Sequence, residues 1–184
     1  MEGGGLTVEL LDPAAAADGE LPGALTTLVN RVYAVGEAGL WQDGAQRVLH
    51  DEMAEMIRGA EIAVARLGRQ IVGSVHVSLL EDGRVGELGL LAADPAHRSI
   101  GVGRALVEFA EDLNRGRGAE ILQLQLLVPT AWEHPVKRFL YDWYSRRGYV
   151  VVARRSMIEA YPSLDRSLAT PCLLLTMQKP ARAP

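Results

Sequence analysis

Glu87–Arg104, ELGLLAADPAHRSIGVGR, is the stretch that decides the fold of this chain. It reads as an apolar strand, a short turn containing Pro95, a loop spaced by Gly101 and Gly103, and the first turn of a helix. The first amides of a helix have no partner within it, and the helix dipole favours an anion there. Glycine, which has no Cβ, lets a ligand oxygen approach the main chain. The stretch therefore predicts a binding site for phosphate or pyrophosphate.

Two common phosphate-binding motifs do not match this loop. A Walker-type loop needs Gly, four residues and then Gly-Lys-Ser/Thr, and the sequence contains no such string. A dinucleotide-binding fingerprint needs a third glycine where Leu106 stands. It also needs an acidic residue at the end of the second strand, whereas Glu120 begins the next strand. The remaining interpretation is the hexapeptide Arg98–Gly103, which fits the pattern R/Q-x-x-G-x-G/A.

The composition suits one globular domain over residues 1–184, because 48% of these residues are hydrophobic. A formal charge of −4 gives no sign of general nucleic-acid affinity. No stretch approaches the roughly 20 apolar residues of a membrane helix, and the N-terminus lacks the features of a signal peptide. Cys172 is alone, so no intrachain disulfide is expected and a reducing compartment fits best. We expect a cytoplasmic protein with no nucleic-acid or membrane partner.

Hydrophobic spacing predicts a mixed α/β domain with about seven strands flanked by four helices. Helices are predicted from Pro22 to about Val35, over Leu49–Ile57, from Val102 to about Gly116, and from Pro135 to Gly148. Strands are predicted over Leu6–Leu11, Glu61–Leu67, Ile71–Leu80, the stretch from Glu87, Ile121–Val128, Tyr149–Ala153 and Cys172–Met177. The long connection 154–171 is expected to be functional or partly without fixed structure.

This element order, with the glycine loop between the fourth strand and the third helix, resembles the GCN5-related N-acetyltransferase (GNAT) superfamily. Leu91–Arg98, LAADPAHR, is similar to the family's L-A-V-x-P-x-x-R approach to the loop. Trp143–Tyr149, WYSRRGY, is similar to its L-Y-x-x-x-G-F helix end. The motif-bearing part spans about residues 86–150. The resemblance implies a GNAT-like acyl-CoA N-acyltransferase fold.

The same resemblance implies that acetyl-CoA is the co-substrate and that no metal takes part. The strand backbone at Leu91, Ala92 and Ala93 would pair with the pantetheine arm and polarise the thioester carbonyl. The pyrophosphate would lie against the loop residues Arg98, Ser99, Ile100, Gly101, Val102, Gly103 and Arg104. The four histidines show no metal-ligand spacing.

Acetyl transfer to an amine needs one proton removed from the amine and one given to the departing thiolate. Tyr144 matches the family tyrosine that acts as general acid; its alternative role is core packing. Glu87, eleven residues before Arg98, matches the spacing of a family glutamate that acts as base through water. Its alternative role is a salt-bridged strand residue. Strand alternation places Glu87 on one face with Gly89, Leu91 and Ala93.

Lys137 departs from the family pattern, which often has Asn seven residues before the tyrosine. A lysine there could reach a coenzyme phosphate, but we expect a solvated helix residue. The departure bears on the coenzyme contacts of this helix and leaves the loop assignment intact.

The acceptor implied by the resemblance is a primary amine of a small molecule or a protein. A carboxylate and aromatic rings between the first two helices and the late loops could hold a cationic amine. The candidates are Tyr33, Glu37, Trp41, Glu159 and Tyr161. A non-catalytic acyl-CoA-binding regulatory module and a nucleotide- or NAD-binding protein are the rival interpretations. Similar proteins are commonly dimers, so a homodimer is an additional expectation.

Overall fold

The computed structural model describes residues 5–161 and 167–182. Within these ranges seven strands form one sheet in the order β1-β2-β3-β4-β5-β7-β6. The strands are β1 (Leu6–Leu10), β2 (Ile62–Leu67), β3 (Gln70–Leu80), β4 (Val85–Ala93), β5 (Ile121–Pro129), β6 (Val150–Ser156) and β7 (Cys172–Pro180). The helices are α1 (Leu21–Gly36), α2 (His50–Arg58), α3 (Val102–Gly116), α4 (Pro135–Arg146) and α5 (Met157–Ala160). The predicted mixed α/β sheet is confirmed.

Only β4 and β5 run parallel in the described sheet, and every other neighbouring pair is antiparallel. A parallel pair needs a crossover, and α3 supplies it. The glycine loop therefore lies at the carboxyl end of β4, where the chain turns into α3. This is the place in the sheet where the sequence predicted an anion site.

Two helical layers cover the two faces of the sheet. On one face, α1 and α2 bury Leu25, Val29 and Met53 against strand residues such as Val64. On the other face, α3 and α4 pack against a larger cluster that contains the residues Leu88, Leu106, Ala110, Leu124, Tyr144 and Met177. Burial of a large apolar side chain contributes about 1.5–3 kcal/mol, so the two layers fix both sides of the central strands.

The predicted long connection between β6 and β7 contains regular structure in its described residues. Strand β6 continues to Ser156, and the short helix α5 follows directly, which adds a fifth helix to the four predicted. Residues 162–166 of this connection lie outside the described residues. Residues 167–169 then pair with residues 40–42 after α1, through Gln42 N to Ser167 O at 2.8 Å and Ala169 N to Leu40 O at 2.9 Å. We call this pairing of 40–42 with 167–169 the strap.

Candidate active site

The glycine loop presents uncapped main-chain amides at the start of α3. Gly101 is the residue before the helix, with φ of 84° in the left-handed region, and no side chain caps the helix there. Ser99 also has a positive φ, of 71°, which turns the chain sharply. Gly101 and Ile100 are exposed, and a Cβ added at Gly103 would meet no atom within 4 Å. The loop therefore offers open amides and room for an anion.

A β-bulge interrupts β4 just before this loop. Gly89 pairs with His76 and Ala92 pairs with Ser74, so β4 advances by three residues where β3 advances by two. The extra residue lies at Leu90, whose φ of 45° is unusual for a leucine. Such backbone costs on the order of 1–3 kcal/mol and is concentrated at functional sites.

The bulge corrects one prediction about strand faces. Simple alternation placed Leu91 and Ala93 on the face of Glu87, but both pack against the cluster that contains Leu88. Leu90 and Ala92 pack instead against the α1 and α2 layer. One extra residue reverses the alternation beyond Gly89, and the sequence carried no sign of it.

The sheet opens beyond the first half of β4. Pairing with β5 is limited to Val85–Leu88 against Ile121–Leu124, while β5 keeps pairing with β7 as far as Pro129. A cleft of about 820 Å³ lies at this opening. Its walls include Leu91 of β4, Leu126 of β5 and, at the loop end, Gly103 and Arg104. An extended ligand can therefore lie along β4 as an added strand.

Tyr144 of α4 lies on the wall of this cleft, as the general-acid prediction requires. Its side chain is buried, and its ring centroid lies 4.9 Å from that of Trp143 and 5.8 Å from that of Tyr149. Burial raises the pKa of the Tyr144 phenol above its ordinary value. The phenol is therefore a protonated donor at neutral pH. Tyr144 therefore packs in the core and also borders the cleft.

Glu87 also lines the cleft, and it is held by a chain of side-chain amides. Gln123 Nε2 donates to Glu87 Oε2 at 2.7 Å, and Gln178 Nε2 donates to Gln123 Oε1 at 2.6 Å. Among residues 5–161 and 167–182 Glu87 makes no salt bridge, the predicted alternative, and its side-chain partner there is an amide. The interruption of an apolar strand by Gln123 was the sequence signal for this partner.

Lys137 is buried and paired, so the prediction of a solvated helix residue was wrong. Its Nζ lies 2.6 Å from Oε1 of Glu37, and only 5% of each residue is exposed. Oε2 of Glu37 accepts a hydrogen bond from Trp41 Nε1, also at 2.6 Å. Burial lowers the pKa of the Lys137 ammonium, which the neighbouring Glu37 carboxylate partly offsets. The lysine at this position is therefore paired with the carboxylate of Glu37, the residue that follows α1.

The acceptor candidates do not all reach the cleft. Tyr33, Glu37 and Tyr161 line it, and Trp41 lines an adjoining cavity of about 280 Å³. Glu159 is exposed on α5 and borders neither cavity. Burial raises the pKa of Tyr33 to about 12, so this phenol too stays protonated.

Arg47 is one of the cleft residues that sequence analysis missed. It lies in the loop between α1 and α2, where neither apolar periodicity nor a motif marks it. The structure places its guanidinium carbon 5.2 Å from the centre of the Tyr33 ring. A position fixed by loop geometry has no local sequence signal.

Residues 5–161 and 167–182 contain no group of three or more potential metal-binding side chains. No helix among them is both long and apolar enough to cross a membrane.

Several solved structures share this architecture. Ard1 from Thermoplasma volcanium aligns over 97% of this chain and 99% of its own, with a TM-score of 0.64 and 17% identity. YncA, a putative acetyltransferase from Salmonella typhimurium solved with its cofactor acetyl-CoA, aligns over 97% and 95%, with a TM-score of 0.64 and 20% identity. An aminoglycoside 6'-N-acetyltransferase complexed with coenzyme A aligns over 97% and 98%, with a TM-score of 0.68 and 16% identity.

At these identities the structural likeness establishes the fold alone. Among curated proteins, none matches the sequence significantly. The family model described as "Acetyltransferase (GNAT) family" matches residues 27–140, which is more than half of the chain. That span contains the glycine loop, the bulged strand and the first half of α4. The chain therefore belongs to the acetyltransferase (GNAT) family.

Proposed function

We propose that this protein transfers the acetyl group of acetyl-CoA directly to a primary amine, as an N-acetyltransferase. The observation that carries the proposal is the opening of the sheet beyond Leu88 and Leu124, next to the uncapped start of α3. The uncapped start of α3 and an unpaired strand edge lie at one continuous cleft. This combination suits a ligand with a charged end and an extended amide-containing arm.

The loop and strand residues fit acetyl-CoA by their chemistry. The main-chain amides over residues 101–104 would bind the pyrophosphate, and a hydrogen bond to a charged group contributes about 1.5–3 kcal/mol. Arg104 stands at the same end of the cleft, although its Nε is 2.8 Å from Glu108 Oε1. The backbone near Leu91 would pair with the arm and polarise the thioester carbonyl. Acetyl-CoA supplies the activated acyl group.

Tyr144 would act as the general acid. The acceptor nitrogen forms a bond to the thioester carbon, and the carbon–sulfur bond then breaks. Tyr144 donates its proton to the departing thiolate, which leaves as the free thiol. A tyrosine phenol, with an ordinary pKa of about 10, is protonated at neutral pH, so a proton is available when negative charge develops on sulfur.

Glu87 would remove the amine proton through a water molecule. Gln123 holds one carboxylate oxygen, which leaves the other for water in the cleft. This arrangement orients the carboxylate without neutralising it. A carboxylate that exchanges protons with solvent can return to its starting state after each turnover.

The acceptor is proposed to be an amine of a small molecule or a protein, in the cytoplasm. A homodimer remains a proposal as well. The acceptor class and the homodimer are supported by the family resemblance, and the compartment by the lone cysteine. The fold does not specify the acceptor, because function depends on the site and not on the fold.

Release of free coenzyme A thiol from acetyl-CoA in the presence of an amine panel tests the proposal. We expect steady thiol release with at least one amine, together with a product whose mass is that of the acetylated amine. Acetyl-CoA binding without turnover of any amine would favour the non-catalytic acyl-CoA-binding module instead. Binding of NAD or ATP in place of acetyl-CoA in calorimetry would contradict both.

A further inference from the structure

The Glu37 carboxylate is not free to bind a cationic acceptor. One oxygen lies 2.6 Å from Lys137 Nζ and the other 2.6 Å from Trp41 Nε1. Its charge is balanced by a buried lysine, and each of its oxygens already accepts a short hydrogen bond, so an ammonium group would have to share this carboxylate with Lys137. Losing a partner inside the protein is costly for a charged group. The carboxylate proposed from sequence to attract the amine therefore has a structural partner instead.

Arg47 is the cation that remains beside this pair. Its Nε lies 3.9 Å from Glu37 Oε2, beyond hydrogen-bonding distance, and no other carboxylate of the described residues is within ion-pair distance of it. About 35% of its side chain is exposed. Its guanidinium lies against the Tyr33 ring, which supports the planar group from one side. The group is thus oriented by Tyr33, and no carboxylate of the described residues lies at hydrogen-bonding distance from it.

Backbone contacts fix Arg47 in this position. Asn30 Oδ1 accepts hydrogen bonds from the amides of Arg47 at 2.7 Å and Val48 at 3.1 Å. Asn30 Nδ2 donates to Val48 O at 2.9 Å. One asparagine on α1 therefore ties down the loop at the point where the arginine leaves it. Pre-organisation of this kind lowers the entropy cost of binding a ligand.

Tyr33, Glu37 and Arg47 form the wall that the main cleft shares with the 280 Å³ cavity. Asp43 lines this cavity but not the main cleft on the other side of the wall. The strap fixes the chain just before Asp43, because residues 40–42 pair with residues 167–169. Leu40 in the strap is fully buried in a cluster with Met157 and Leu174. The cavity volume is at the small end for ligand sites, so it suits a compact acceptor.

The geometry points to a small amine that carries a carboxylate, of the amino-acid type, as the acceptor, with Arg47 as the residue that binds the carboxylate. This inference rests on the proposed N-acetyltransferase function and names its substrate class. The guanidinium offers a rigid fork that matches a planar carboxylate. The amine would then point from Arg47 into the main cleft, where Tyr144 and Glu87 lie.

The test measures kcat/KM for amino acids and for their carboxamides, each divided by the fraction of that amine that is deprotonated at the assay pH. We expect the free carboxylates to be preferred about tenfold or more, since a charged hydrogen-bonded pair contributes that much. In Arg47→Gln the preference should disappear, mainly through KM, while acetyl-CoA affinity stays unchanged. Arg47→Lys should keep part of the preference, and Arg66→Gln, on the far strand β2, should keep all of it.

Equal use of carboxylates and carboxamides by the wild type would overturn the inference and leave the acetyltransferase proposal standing. So would a preference that survives in a folded Arg47→Gln protein, or better turnover of purely cationic amines. If Arg47→Gln does not fold, the wild-type panel and Arg47→Lys decide. Acetyl-CoA binding without turnover of any amine is a different result, because it overturns the proposed function and this inference with it.

Discussion

Lys137 Nζ of α4 lies 2.6 Å from Glu37 Oε1 at the end of α1, and both side chains are almost fully buried. The two helices belong to opposite layers of the sheet, so the pair joins them across the opening between β4 and β5. It lies seven residues, about two helical turns, before Tyr144 on the same helix. The pair therefore fixes the helix that carries the proposed general acid.

Removing one partner of this pair should destabilise the fold. Lys137→Met removes the ammonium group at 2.6 Å from the buried Glu37 carboxylate and leaves only Trp41 and the more distant Arg47 beside it, so we expect a loss of about 3–5 kcal/mol in the free energy of unfolding. The double variant Glu37→Gln with Lys137→Met should recover much of it. Urea denaturation measures both. As a control, Arg84→Met breaks the exposed Arg84–Glu120 pair and should cost under about 1 kcal/mol. An equally small loss in Lys137→Met would show that the pair contributes little.

Tyr144→Phe should lower kcat at least tenfold and leave acetyl-CoA affinity nearly intact. The substitution removes the proton donor but keeps the ring that packs against Trp143 and Tyr149. Tyr141→Phe, one turn earlier and outside the cleft wall, is the matched control. Steady-state kinetics and calorimetry with acetyl-CoA separate the two effects. Full activity in Tyr144→Phe would remove this residue from the mechanism.

The raised pKa of Tyr144 also predicts how the wild-type rate depends on pH in the alkaline range. Burial disfavours the phenolate, so the acid stays protonated up to at least the ordinary tyrosine pKa of about 10. The wild-type rate should therefore show no fall from ionisation of Tyr144 between pH 7 and about 9. A fall there that disappears in Tyr144→Phe would contradict this assignment.

Glu87→Gln should depress the limb of the rate profile that rises with pH. The amide cannot accept the amine proton, so we expect kcat to fall at least tenfold where the amine is still protonated. The deficit should shrink as the amine loses its own proton at higher pH. Glu120→Gln, at an exposed site, should leave the profile unchanged. An unaltered profile in Glu87→Gln would place the base elsewhere.

Gly103→Asp should weaken acetyl-CoA binding at least tenfold without harming the fold. A side chain has room at this position, and an acidic residue in the first turn of α3 interacts favourably with the helix dipole. The same negative charge repels a pyrophosphate at the neighbouring amides. Gly103→Asn, of similar size but neutral, should bind much better than Gly103→Asp. Equal affinities for the two variants would mean that no anion binds at this loop.

The periodic parts of the fold were predictable from the sequence. The apolar stripe of α3 and the glycines around it placed the loop correctly, because helix spacing and glycine conformation are local properties. Strand β5 was recognised for the same reason, and Gln123 within it is the residue that holds Glu87.

The features that shape the acceptor end were not predictable, since they arise from contacts between distant segments. Lys137 and Glu37 are 100 residues apart, and nothing near either one indicates the other. The bulge at Leu90 is set by the register with β3 and reversed the expected faces. Arg47 owes its position to Asn30, in the preceding helix.

A crystal structure of the protein with acetyl-CoA tests the central claim most directly. We expect the diphosphate to lie within hydrogen-bonding distance of the main-chain nitrogens of residues 101–104. We also expect the pantetheine arm to lie between β4 and β5, with the thioester near Leu91 and Tyr144. A coenzyme bound at any other surface, with the space between these strands empty or closed, would contradict it.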